Sequence, residues 1–315
     1  MSIEFVGTSS LSKPWGVADP RPWAQPKGDG TFVGELWYER TDTERPPASL
    51  LLKLLFTSQP LSIQVHPDDA FARSIGLPNG KSEAWYIIDA AAGAMVAVGL
   101  NRSCSSLQLR QSIEDGSIAG LVVWQSVSAG DVVSVPAGTI HAIGAGLVIA
   151  EIQQRSDTTF RLFDYGRPRG LHIDQAVAVA HTGPAAIQVR PTQISGQRTL
   201  LVTNQHFVLE RIVLPPNSYW VFEAARETWL LVLSGTVTVG EVDMSAGCAI
   251  YAESSRAAVR TGTAAVTCLV AYKGDVATHL LQHHVQHATN VISTSDRIVT
   301  LSPLAFDDVA EIRDY

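Results

Sequence analysis

Gly130-Asp-Val-Val-Ser-Val-Pro-Ala-Gly-Thr-Ile-His141 is the stretch on which the fold turns. Its β-branched residues form a short strand, Val132–Val135, which turns through Pro136-x-Gly138 and delivers a histidine. Upstream, Ser62-Ile-Gln-Val-His-Pro67 places Gln64 and His66 two residues apart. Side chains alternate across a strand, so both project from one face. Glu83 adds a carboxylate. Gln64, His66, Glu83 and His141 together offer one metal ion four ligands of mixed nitrogen and oxygen type, which points to a metal centre enclosed by a β-barrel.

Gly130, Pro136-x-Gly138 and His141, at these intervals, resemble the second motif of the cupin superfamily. Ser-x-Gln-x-His-Pro-Asp at residues 62–68, Gly80-Lys-Ser-Glu-Ala-Trp85 and Ser156-Asp-Thr-Thr-Phe-Arg161 narrow the likeness. In this order they resemble the type I phosphomannose isomerases, in particular the shorter bacterial members. The similarity runs from about Leu50 to Arg167, with a weaker echo at Lys13-Pro-Trp-Gly16. Most metal-binding cupins carry His-x-His in the first motif; Gln64 in place of the first histidine favours the isomerase branch over a non-haem iron oxygenase.

The chain has 315 residues, 46% of them hydrophobic, enough for two domains with a buried core. No apolar run approaches the ~20 residues that span a bilayer. Met1-Ser-Ile-Glu-Phe-Val-Gly lacks a basic region followed by an apolar stretch, so no signal peptide is expected. Cys104, Cys248 and Cys268 form no CxxC pair, which suits free thiols in a reducing compartment. A net charge of −7 argues against non-specific nucleic-acid binding. The expectation is a cytoplasmic protein without nucleic-acid or membrane partners.

Short runs rich in Val, Ile, Leu and aromatics, punctuated by Gly, Pro, Asn and Ser, predict strands over Leu50–Phe56, Leu61–His66, Ala84–Asp89, Met95–Val98, Val122–Trp124, Val132–Val135 and Val148–Gln153. Helices are predicted over Ser105–Ile113 and Ile173–His181. Glu83-Ala-Trp-Tyr-Ile-Ile is echoed by Glu227-Thr-Trp-Leu-Leu-Val, and Gly247 to Ala258 follows the spacing of Gly130 to His141. There Glu253, Ser255 and Ala258 stand at the Pro, Gly and His positions, so the second half reads as a barrel that has lost its metal. The expected fold is all-β, with two cupin-like (jelly-roll) barrels, the first metal-binding with a small helical insertion and the second degenerate. The domains expected are a metal-binding catalytic cupin domain over 1–190, a degenerate barrel over 191–277 and an irregular tail over 278–315. In the tail, His279, His283 and His287 would share one face of a helix, an arrangement better read as polar surface than as a metal site.

Several further residues carry the expected chemistry. Zinc suits the imidazole and carboxylate set, and with only Glu83 charged the ion would keep positive charge to polarise a substrate oxygen. Lys81, two residues before Glu83, would face the same cavity, where a neighbouring cation would lower its pKa and suit it to act as a base. Lys53, inside an aliphatic run, faces either solvent or the cavity; the resemblance favours the cavity. On a regular extended chain Glu151, Asp157 and Arg161 would share one face. The resemblance marks Arg161 as the catalytic arginine, able to hold phosphate or to stabilise an enediolate. It also implies Arg167 and Ser62 near a substrate phosphate, and Asp157 as a partner of Arg161 or a proton relay. The activity implied is interconversion of mannose 6-phosphate and fructose 6-phosphate through a cis-enediol, with one Zn2+ per chain and a small phosphosugar as substrate. Two alternatives stay open: a non-catalytic, sugar-phosphate-binding regulatory cupin, and a cupin metal oxygenase. Glu151, Asp157 and Lys81 remain alternatives for the proton-transferring base.

Overall fold

Leu50-Leu-Leu-Lys-Leu-Leu-Phe-Thr57 forms a strand buried along its whole length, because its sheet is covered on both faces. A computed structural model describes residues 2–283 apart from 29, 43, 187 and 189. The strand lies inside a six-stranded antiparallel sheet in the order Gly7–Val17, Val33–Glu39, Leu50–Thr57, Leu147–Gln154, Glu83–Ala90, Val132–Val135. A five-stranded sheet, Phe160–Phe163, Ile63–Val65, His141–Ile143, Met95–Leu100 and Val122–Ser126, closes the first barrel. The interior between them holds Leu55, Trp85, Ile87, Val96, Val133 and Ile149.

The period of two splits the Leu50–Thr57 run between two cores. Leu50, Leu52, Leu54 and Phe56 leave the barrel and pack against Phe207, Leu209, Trp229 and Leu231 of a seven-stranded sheet. Leu55, and with it Lys53, turns into the barrel. The seven-stranded sheet and a second five-stranded one enclose another apolar core, built on Trp220, Phe222, Val232, Ile250 and Tyr272. Its interior is filled by side chains. The sheet of this second barrel also takes in the N-terminal strand Ser2–Phe5, paired with Ala249–Glu253. The fold is thus all-β with two barrels; in the second, Glu227 echoes Glu83, but Ala258 stands where the first has His141.

Helices Ser106–Glu114 and Ile173–Val179 cover the outer face of the first five-stranded sheet through Leu109, Ile113 and Ala176. The former starts at a capping box in which Ser105 and Gln108 satisfy each other's backbone N–H groups. One expectation from the sequence is corrected. Residues Leu281–His283 form a strand beside Tyr219–Ala224, and His283 packs on Trp220 at 4.6 Å between ring centres, so His279 and His283 do not share a helical face. His287 lies outside the described residues. Among the described residues no helix is long and apolar enough to cross a membrane.

Candidate metal centre and substrate cavity

Strand register assembles the centre. Gln64 pairs with His141 on one side and with Arg161 on the other, while Glu151 lies between Lys53 and Trp85, and Gln153 opposes Glu83. Gly138, at φ +85°, lets the Pro136-x-Gly138 turn close: its N–H donates to the His66 carbonyl at 2.8 Å, tying the two histidine-bearing segments together. A Cβ there would come within 2.8 Å of the His181 ring.

His66, Glu83 and His141 are all buried, and one ligand atom from each lies within 4.8 Å of the others. His66 Nε2 is 3.4 Å from Glu83 Oε2, and His141 Nε2 is 3.4 Å from Glu83 Oε1. Each Nδ1 meets a backbone carbonyl at 2.8 Å, Thr158 for His66 and Thr139 for His141. A carbonyl only accepts, so Nδ1 carries the proton and the Nε2 lone pairs face the centre. Burial, then the Lys81 charge, holds His66 well below its ordinary pKa; burial brings His141 down to about 4. Both rings are therefore neutral, as ligation requires. Glu83 Oε2 is buried and makes no hydrogen bond of good geometry. The Gln64 amide sits at the edge, 3.3 Å from His141 Nε2, and accepts from Ser62 Oγ at 3.0 Å. This donor set fits a divalent cation.

Lys81 reaches the same point, with Nζ 3.0 Å from Glu83 Oε2 and 3.2 Å from His66 Nε2. Burial pulls its pKa down, but Glu83, Glu151 and Asp157 outweigh burial and raise it above the ordinary lysine value. The sequence reading expected a neighbouring cation to lower this pKa; the three carboxylates around the ammonium act in the opposite direction. The group poised near neutrality is Glu151. Burial and then Glu83 push its carboxyl up to about 7, against the pull of Lys81 and Lys53. Trp85 Nε1 donates to it at 3.1 Å and Lys53 Nζ stands 3.8 Å away.

These groups open on a cavity of about 350 Å³. Ser62, Gln64, Lys53, Lys81, Glu151, Asp157 and Arg161 line it, and His66, Glu83 and His141 are buried behind Gln64 and Lys81, so the residues singled out in the sequence gather at or behind it with one exception. Lys53 lies over the Trp37 ring at 4.3 Å and 3.9 Å from Asp157, whose side chain is largely exposed at the rim. Arg161 donates from Nη1 to the Gly170 carbonyl at 2.9 Å, and its buried Nε has no partner.

The exception is Arg167. It is turned away, donating to the Pro60 carbonyl at 2.7 Å and to Asp164, and it does not line the cavity. Arg169 does, held by Asp164 at 2.6 Å. The chain between Glu151 and Arg161 is also not one extended strand. The first strand ends at Gln154 and the next begins at Phe160, with a bend between, yet all three side chains reach the cavity. The cavity adds residues to which the sequence reading gave no role. Lys13 pairs with Glu35 at 3.1 Å, Glu35 accepts from Trp37 Nε1 at 2.6 Å, and His172 lies beside Arg161. The echo at Lys13-Pro-Trp-Gly16 was the only signal for that wall.

No family model matches the chain. It is 41% identical over 202 residues to the mannose-6-phosphate isomerase of Streptococcus mutans serotype c, covering 61% of this chain and 63% of that protein. It is 39% identical over 163 residues to mannose-6-phosphate isomerase ManA of Bacillus subtilis, covering 48% of this chain and 51% of that one. The chain thus matches between about half and three fifths of the length of these curated relatives. Among solved structures, the mannose 6-phosphate isomerase of Bacillus subtilis superposes on 86% of this chain and all of its own, with a TM-score of 0.75 and 24% identity. A mutant phosphomannose isomerase from Salmonella typhimurium covers 87% of this chain with a TM-score of 0.68 at 16% identity. The chain therefore has the all-β cupin fold of the phosphomannose isomerases of known structure, and its sequence is similar to curated members of that group.

Proposed function

We propose that this protein is a soluble, cytoplasmic mannose-6-phosphate isomerase that interconverts mannose 6-phosphate and fructose 6-phosphate. The observation that carries the reading is one cavity whose lining residues Gln64 and Lys81 reach the buried His66–Glu83–His141 centre behind them, with a near-neutral carboxyl at Glu151 and the guanidinium groups of Arg161 and Arg169 on its wall. The relatives, named mannose-6-phosphate isomerases, support mannose 6-phosphate as the substrate. Gln64, His66, Glu83 and His141 would hold one divalent cation per chain, Zn2+ in this reading. Bound there, it would polarise substrate oxygens and so ease loss of the proton at C2.

The chain's own residues do the rest. Glu151, ionised, takes the C2 proton of the open-chain aldose; the electron pair forms the C1–C2 double bond, and the C1 oxygen takes a proton from the Lys81 ammonium. The resulting cis-enediol recollapses when Glu151 returns its proton to C1 and the C2 hydroxyl gives its proton to the now neutral Lys81, leaving the ketose and restoring the ammonium. Arg161 stabilises the negative charge that develops on the oxygens, since a guanidinium stays charged throughout. Arg169 and Ser62 take the substrate phosphate, the former by charge-assisted hydrogen bonds. Lys53 keeps Glu151 ionisable by offsetting Glu83. Mannose 6-phosphate deuterated at C2, incubated in ordinary water, tests this route. Label arriving at C1 of the product, with any remainder exchanged from the Glu151 carboxyl into solvent, is expected, and both should vanish in Glu151→Gln; a Glu151→Gln protein that moves the label as the wild type does contradicts the route.

A further inference from the structure

Arg161 is gripped at three points by residues 170–172. Its backbone N–H donates to His172 Nδ1 at 3.1 Å, the His172 N–H donates to the Arg161 carbonyl at 2.9 Å, and Arg161 Nη1 donates to the Gly170 carbonyl at 2.9 Å. Two of the three bonds belong to His172. That residue immediately precedes helix Ile173–Val179, whose Ala176 donates back to the His172 carbonyl at 2.8 Å and is fully buried in the core beneath. The grip is therefore anchored in a packed element. A backbone N–H can only donate, so Nδ1 must present its lone pair and the ring proton must sit on Nε2. Burial and the Arg161 charge, which both disfavour the imidazolium, hold the His172 pKa below its ordinary value. His172 itself lines the cavity wall next to Arg161 and Arg169.

We propose that His172 is a positioning residue: its neutral Nδ1 fixes the backbone of Arg161 and thereby the placement of the guanidinium against the reacting oxygens. This rests on the isomerase reading above. A displacement of the order of 1 Å in such a group costs up to about 100-fold in rate.

The test uses the metal-loaded, full-length protein with His172→Ala and His172→Asn, because an asparagine Oδ1 takes the place of Nδ1 as acceptor. For His172→Ala the expected result is a kcat loss of about 10- to 100-fold with KM for mannose 6-phosphate changed less than about threefold; His172→Asn should recover to within about threefold of the wild type. Histidine-selective 15N NMR should show Nδ1 unprotonated in the wild type. The Arg161 amide proton resonance should move in the alanine variant and stay near its place in the asparagine variant. Full kcat in His172→Ala, no recovery in His172→Asn, or a protonated Nδ1 overturns the proposal. A wild-type protein without turnover sinks the isomerase reading and the rate claim with it. The NMR comparison then still decides, separately, whether His172 holds Arg161.

Discussion

Lys53→Met removes one ammonium from the cavity while keeping a side chain of similar length, and its consequence can be worked from one distance. Lys53 Nζ stands 3.8 Å from Glu151 Oε2 with both groups buried. At an effective dielectric constant of about 20 that separation is worth about 4 kcal/mol, or about three pH units on the Glu151 titration. The full value is not expected. Lys81 remains beside Glu151, Lys53 shares its charge with Glu35 and Asp157, and water enters a cavity of this size. The prediction is a rise of about one to two pH units. The sign follows from the role: Glu151 acts as a base when ionised, so a raised carboxyl pKa moves the acid limb of the kcat profile to higher pH. At pH 7, where the wild-type carboxyl is about half ionised, the variant should lose about 5- to 50-fold in kcat and recover most of it at about pH 9 to 10. Stability carries the same sign. The folded Glu151 pKa lies above the ordinary 4.5, so its ionisation costs stability as pH rises from there to about 7. In the variant that loss continues to higher pH. The assay is kcat against pH for both proteins in the same metal-loaded state. Superimposable acid limbs, or an equal loss at every pH, would refute the reasoning.

Three other perturbations separate parts of the account. In Gly80→Ala the new Cβ would lie 2.5 Å from the Pro67 carbonyl oxygen and 2.5 Å from the Asp68 carbonyl carbon, both backbone atoms; a loss of about 1–3 kcal/mol is expected in thermal or urea unfolding, with kcat reduced because Lys81 follows directly. Glu227 accepts from Ser49 N and Leu50 N at 2.8 Å each and from Trp229 Nε1 at 3.2 Å, so Glu227→Ala should cost about 2–4 kcal/mol in urea unfolding while leaving the bound metal per chain unchanged. Arg169→Ala should raise KM for mannose 6-phosphate by about tenfold or more and Arg167→Ala by much less, since only Arg169 lines the cavity; equal effects would return the phosphate to Arg167.

What the sequence disclosed follows the range of its local rules. The approach of His66 and His141 to one point with Glu83 was legible because a period of two and one glycine turn determine where Gln64, His66 and His141 point. Lys53 was legible as an anomaly, a cation in a run buried on both faces. Arg167 rested on resemblance alone. Between Phe163 and His172 stand Gly166, Pro168 and Gly170, and no local rule decides which basic residue of such a loop turns inward; Arg169 rather than Arg167 reaches the cavity. The strands Gly7–Val17 and Val33–Glu39 escaped notice because Ser9, Ser10, Ser12 and Pro14 dilute the first and Gly34 and Glu35 interrupt the second. The charge state of Lys81 was out of reach for another reason. It depends on Glu151 and Asp157, remote in sequence, and a pKa sums over every charge the fold brings near. Glu227 shows the converse. Its likeness to Glu83 was visible, but that it serves to clamp the start of strand Leu50–Thr57 needed the two barrels packed together.

The central claim, a metal-dependent isomerase acting through Arg161, is tested most directly by a coupled assay of fructose 6-phosphate formation from mannose 6-phosphate. The wild type would be assayed as purified, after chelation and after Zn2+ is restored, beside Arg161→Ala. The account predicts turnover that disappears with the metal, returns with it, and falls by at least about 100-fold in Arg161→Ala at unchanged metal content. Turnover that survives chelation, or an Arg161→Ala protein as active as the wild type, would contradict it.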